Sequence, residues 1–74
     1  MKSYILEGSN NKALVFIDDN GNEILISYGT PILKRTASGE LIRLWDSWSN
    51  TTGRHIKAFC GLNKQQFLNI AMGE

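Results

Sequence analysis

The hydrophobic residues of this chain change their rhythm near Trp45. Before it, short apolar runs alternate with clusters of Gly, Asn, Asp and Ser. After it, apolar residues recur three and four apart. The first pattern belongs to strands and the second to helices. Five runs read as strands: Ser3–Glu7, Lys12–Asp18, Glu23–Tyr28, Ile32–Thr36 and Leu41–Trp45. The second places Ala13, Val15 and Ile17 on one face and Leu14 and Phe16 on the other, so it is expected in the interior of a sheet. Gly8–Asn11, Asp19–Asn22 and Ala37–Glu40 separate the runs as turns. Asn20-Gly21 is a strong hairpin signal, because a tight two-residue turn demands positive φ at both central positions. Gly29 frees the backbone before Pro31, which ends hydrogen-bonded pairing or sits at an edge. The regular spacing predicts an antiparallel five-stranded meander.

Ile56, Phe59 and Cys60 then form one helical stripe. Its cap is Ser49, Asn50 or Thr51, with Ser49 favoured, and Gly61 is a natural stop. A second helix starts at Asn63, where Gln66 suits a capping box. Phe67, Leu68 and Ala71 supply its apolar face. The expected fold is α+β, a single domain over residues 1–74. A C-terminal helix and a short second helix follow the meander and lie across one face or end of the sheet.

Length sharpens this picture. With 74 residues, only about 60 % of the unfolded surface is buried on folding. Small domains often need a staple. One cysteine and one histidine supply neither a disulfide nor a structural zinc site. A well-packed core or a homodimer remains. The free thiol and the lack of a leader-like segment imply the cytoplasm. The apolar runs reach about five residues, too few to span a membrane.

The net charge of +1 is unevenly spread. Lys2 and Lys12 oppose Glu7, Asp18, Asp19 and Glu23 in residues 1–30. Lys34, Arg35, Arg43, Arg54, Lys57 and Lys64 oppose Glu40, Asp46 and Glu74 in the rest. The mildly basic second part suits an acidic partner, although it falls short of a dedicated nucleic-acid binder.

The inventory argues against catalysis. There is no Gly-rich phosphate loop, no HExxH and no GxSxG. Asp18 and Asp19 flank a turn and point apart. His55 and Cys60 lie about 140° apart on a helix, so they do not form a nucleophile pair. Cys60 is expected beside Ile56 and Phe59 in the core. His55 is expected half-exposed, bonded to a neighbouring loop. No catalytic residue, metal ligand or cofactor is assigned.

Binding chemistry is richer. The helix start near Ser49–Thr52 presents free N–H groups, and Arg54 and Lys57 follow three apart. At least one of Trp45 and Trp48 is expected to pack under the helix. Either both lie in the core, or one is exposed, and then Trp48 is the one expected beside Arg54. Arg43 would share a basic patch with Lys34 or Arg35. The binding candidates are Trp48, Arg54 and Lys57, with Arg43 and Tyr28 as neighbours.

Ser27, Tyr28, Thr30 and Pro31, followed by Trp48, Ser49, Thr51, Thr52, Arg54, His55 and Ile56, form a pattern that resembles one found in a family of small phage and mobile-element proteins of bacteria. Trp48 stands where that family is expected to carry tyrosine. The resemblance spans Ser27 to Phe59 and carries no function with it. It implies a phage or prophage origin and a motif that caps and packs a helix start. The expected role is a non-catalytic binding module acting on a host or phage macromolecule in the bacterial cytoplasm, such as an inhibitor or modulator of a host factor. The expected partner is a protein, and weak nucleic-acid binding is the alternative.

Overall fold

Alternating apolar positions bounded by turn residues fold into strands because one face can then be buried and the other left open. The computed structural model describes residues 2–6 and 12–73 and follows this pattern. Its strands are β1 (Lys2–Ile5), β2 (Ala13–Ile17), β3 (Glu23–Ser27), β4 (Thr30–Arg35) and β5 (Leu41–Arg43), followed by helices α1 (Asn50–Cys60) and α2 (Lys64–Leu68). The strands form one antiparallel sheet in chain order, β1-β2-β3-β4-β5. The fold is α+β, as the periodicity implies. The expected Gly8–Asn11 turn and Glu7 lie outside the described residues.

The turn chemistry differs from expectation. Gly21 has φ of 85°, but Asn20 is not left-handed. The Gly21 N–H donates to the Asp18 carbonyl and the Asp18 N–H to the Asn22 carbonyl. This is a three-residue loop closed by a left-handed glycine, not a two-residue turn. Asp18 decides it. Its carboxylate accepts from the N–H groups of Asn20 and Asn22 and from the Asn22 side-chain amide. Asn22 holds that carboxyl below the usual range. The loop at Thr36–Glu40 repeats the design with Gly39 and the Thr36 hydroxyl. The two-residue turn falls instead at Tyr28-Gly29, where φ is 51° and 79° and Ser27 pairs with Thr30.

The β3–β4 register shifts between Leu25 and Ile26, leaving Ile32 as an extra residue. Such a bulge re-aims side chains. Ile32 and Leu33 are consecutive yet both buried, at 1 % and 0 % exposure. Pro31 precedes the part of β4 that pairs with β5, so its missing N–H leaves no gap in that ladder. Residue pairing with β5 ends at Arg43 and not at Trp45. Beyond it, the chain's C-terminal residues run alongside: Arg43 and Gly73 donate N–H bonds to the Ala71 and Arg43 carbonyls.

Both helices cover the same face of the sheet. The core joins Leu6, Ala13, Val15, Leu25, Ile32 and Leu33 to Ile56 and Phe59 of α1 and Phe67 of α2. Ser49 caps α1 by accepting from the Thr52 N–H, and Gly61 ends it at φ of 79°. Asn63 and Gln66 form the capping box of α2. Phe67 is fully buried, but Leu68 is exposed and Ala71 lies past the helix end. The expected apolar face therefore reduces to Phe67. Cys60 is half-buried and donates weakly to the Ile56 carbonyl.

Candidate functional site

Helical geometry sorts the residues of α1 onto opposite sides. Thr52, His55, Ile56 and Phe59 turn toward the sheet and are buried. Arg54 and Lys57 turn outward and are exposed. On that outer side Trp48, Asn50, Gly53, Arg54, Lys57, Leu62, Asn63 and Lys64 line an open cleft of about 240 Å³. Gly61 reverses the chain, so the start of α2 returns beside α1 and brings Lys64 to cations that precede it by seven and ten positions.

The floor of the cleft depends on one missing side chain. The Trp48 ring lies against Gly53 so closely that a Cβ there would sit 2.3 Å from its Cζ2. On its other side Trp48 meets Phe67, with ring centroids 5.8 Å apart. Trp48 is thus half-buried, and so is Trp45. The tryptophans do not divide into one buried and one exposed. Among the described residues, Arg54, Lys57 and Lys64 form no ion pair, so three cations border an indole with no acid beside them.

The other two candidates lie elsewhere. Arg43 is on the helix-covered face opposite Leu33. Its Nε donates to the Ile70 carbonyl at 2.9 Å, and its guanidinium stands 5.7 Å from the Phe67 ring centroid. It ties the C-terminal segment to the sheet and does not line the cleft. No basic patch forms around it. Arg35 shares its face but pairs with Glu23 at 2.9 Å and covers Phe59 at 4.4 Å. Glu23 strengthens the hold of Arg35 on its proton. Lys34 points to the opposite face, opposite Ile42.

Tyr28 belongs to a second cluster. The Ser27 hydroxyl lies 2.8 Å from His55 Nδ1 and 3.2 Å from the Thr52 hydroxyl. All three residues are buried, with His55 at 6 % exposure. His55 does bond a residue beside a loop, but it is buried and not half-exposed. The pairing with Ser27 and Thr52 holds it inside. Burial lowers its affinity for a proton. The Tyr28 ring stands over it at 5.8 Å. A bulky residue at positive φ is costly, by roughly 1–2 kcal/mol, and this contact is what Tyr28 gains in that position. Burial likewise raises the Cys60 thiol above its ordinary value.

These contacts join the two parts of the sequence motif. Ser27 meets Thr52 and His55, 25 and 28 positions away. A model of a family of unknown function, DUF8033, matches residues 2–68. The chain belongs to this family. The match runs through β1, β2 and α2 as well as the motif. No curated protein and no solved structure matches the chain.

Sequence reasoning brought Trp48, Arg54 and Lys57 together but missed Lys64, Asn50 and Gly53. In this DUF8033 chain Gly53 sits inside a helix, where glycine is unfavourable. That cost was the available sign of a close approach. Lys64 had no comparable signal, because it reaches the cleft only through the reversal at Gly61. Among the described residues no group of acidic, His or Cys side chains is placed to hold a metal ion, and no helix is long and apolar enough to cross a membrane.

Proposed function

We propose that this protein is a non-catalytic binding module whose cleft beside α1 grips an acidic segment of a protein partner. The convergence of Arg54, Lys57 and Lys64 on the half-buried Trp48 carries the reading. Unpaired cations attract an anionic segment, and an aromatic floor supplies a desolvated anchor of the kind that dominates interfaces. The buried Ser27–His55 pair supports the non-catalytic part. A nucleophile must reach its substrate, and Ser27 is 2 % exposed beneath Thr52 and His55. We place the protein in the cytoplasm of a bacterial host and among phage-borne proteins that act on a host or phage macromolecule. The motif resemblance supports that origin.

The test is a tagged pull-down from bacterial lysate with the native chain and with an Arg54→Ala, Lys57→Ala variant. A partner lost by the variant supports the cleft, and a partner kept equally by both moves the binding surface elsewhere. A nucleic-acid ligand is the second reading, because an indole beside cations can also stack a base. Salt separates the two. Three phosphate contacts give a slope of log K against log salt of about −2 to −3. Absence of any complex with single- or double-stranded probes at low salt removes this reading.

A further inference from the structure

Both helices lie on one face of the sheet, and the other face is apolar. Two rows of side chains cross it. One runs Ser3, Phe16, Ile24, Lys34, Ile42, and the other Ile5, Leu14, Ile26, Pro31. Lys34 is the single charge in these rows. Leu14, Phe16, Ile24, Ile26 and Ile42 are half-buried, and Ile5 is 56 % exposed. None of them belongs to the helix-covered core or packs against it. Among the described residues, no helix crosses this face, and the C-terminal segment reaches only its rim, where Gly73 rests on Ile42.

We propose that this open face binds the same face of a second copy, sheet against sheet. Charge and area argue for that occupant. The one cation in the rows, Lys34, is already attended by Asp18 beyond the end of β2, so the face offers no net charge to select a different partner. An apolar sheet is instead complementary to itself, since two such faces interdigitate about 10 Å apart with their strands nearly aligned. The molecule measures 30 × 28 × 18 Å, and its thin dimension is that of a sheet with one helical layer. Its broad side, 30 × 28 Å across, is large enough to supply the roughly 800 Å² that each partner gives to a stable interface. Monomeric proteins seldom leave an apolar patch of this kind in water. Lys34 fits the arrangement by laying its aliphatic stem on the face and sending its ammonium to the rim. The pairing supplies what the small single core lacks without a disulfide or a metal. It leaves the helical layers outside, so the dimer presents two clefts on opposite surfaces.

Sedimentation velocity from micromolar to millimolar concentration tests this with the native chain, an Ile24→Lys variant and the Arg54→Ala, Lys57→Ala variant. The native chain and the cleft variant should sediment at twice the 8.3 kDa chain mass, and Ile24→Lys at the single mass with an unchanged circular dichroism spectrum. A native chain of single mass at millimolar concentration overturns the proposal. So does a double mass retained by Ile24→Lys, the result that pairing through the β1 edge would give. Should Ile24→Lys fail to fold, a paramagnetic cosolute added to the native protein decides. Methyl signals of Ile24 and Ile26 should become more protected as the protein is concentrated while those of Leu68 and Met72 do not, and attenuation that does not change with concentration overturns the proposal. The cleft residues take no part in the contact, so the outcome is independent of the proposed function.

Discussion

Replacing Gly53 by alanine should destabilise this protein, although the same change in most helices does the opposite. Alanine is favoured over glycine in a helix by up to about 1 kcal/mol. At Gly53, however, the new Cβ would lie 2.3 Å from Trp48 Cζ2 and 2.9 Å from two further ring atoms. That is more than an ångström inside normal contact, which begins near ~3.5 Å. The ring cannot simply retreat, because Phe67 backs it at 5.8 Å and is itself fully buried. Overpacking of this kind costs about 1–3 kcal/mol. Set against the helical gain, a net loss of about 1 kcal/mol follows. In a domain of this size that lowers Tm by about 4–8 °C. Thermal unfolding followed by circular dichroism measures the shift, and tryptophan fluorescence reports whether Trp48 is displaced. In a Trp48→Ala background the obstacle is gone, and Gly53→Ala should then stabilise, so a double-mutant cycle isolates the contact. A rise in Tm for Gly53→Ala in the native background would refute the close approach and, with it, the floor of the cleft.

Other expectations follow from the buried polar cluster and the displaced arginine. Ser27→Ala removes the partner of both Thr52 and His55, and should cost about 1–3 kcal/mol in urea unfolding. Burial depresses the proton affinity of His55 below its ordinary value of 6.5, so the unfolded chain binds more protons as pH falls. Stability should be complete above pH 6.5 and decline below it, until His55 is protonated in the folded state as well. His55→Gln should flatten this decline between pH 6.5 and the carboxylate range, and an unchanged decline would refute the assignment. Arg43→Ala should lower stability by about 1.5–3 kcal/mol through loss of a charged hydrogen bond, while leaving pull-down of a cleft partner intact. Cys60, half-buried with its thiol pushed up, should react with a thiol reagent far more slowly in the native than in the unfolded chain.

The elements set by local physics were the legible ones. Alternation located the strands, and Ser49, Gly61, Asn63 and Gln66 marked the helix ends, because a cap and its free N–H groups are close neighbours in sequence. The bulge that buries both Ile32 and Leu33 was not legible. It arises from a register shift against Ile26 that no local pattern records. The two tight turns show how context overrides propensity. Asn20-Gly21 has the better sequence for a two-residue turn, but the Asp18 carboxylate, by gathering the N–H groups of Asn20 and Asn22, stabilises a longer loop. Tyr28-Gly29 has the poorer sequence and adopts the tight turn, with the Tyr28 ring over His55.

The same separation of local from distant runs through the site. Trp48, Arg54 and Lys57 could be grouped from sequence because Arg54 and Lys57 share one helix and Trp48 lies just before its cap. Arg43 could not be dismissed, because Ile70, which accepts its hydrogen bond, is 27 positions away. Nor could Ser27 be joined to His55. Once the fold connects them, the motif divides by direction. Ser27 on the sheet and Thr52, His55 and Ile56 on the helix meet and fix where α1 docks, while Trp48 and Arg54 face the cleft. Gly53 lies between these sets, buried within the helix and against the indole. Docking and cleft shape are therefore coupled through one turn of α1. A substitution at Ser27 or His55 that shifts this turn should disturb the Trp48 ring without touching it. An outward change such as Lys57→Ala should alter binding and leave the docking of the helix intact.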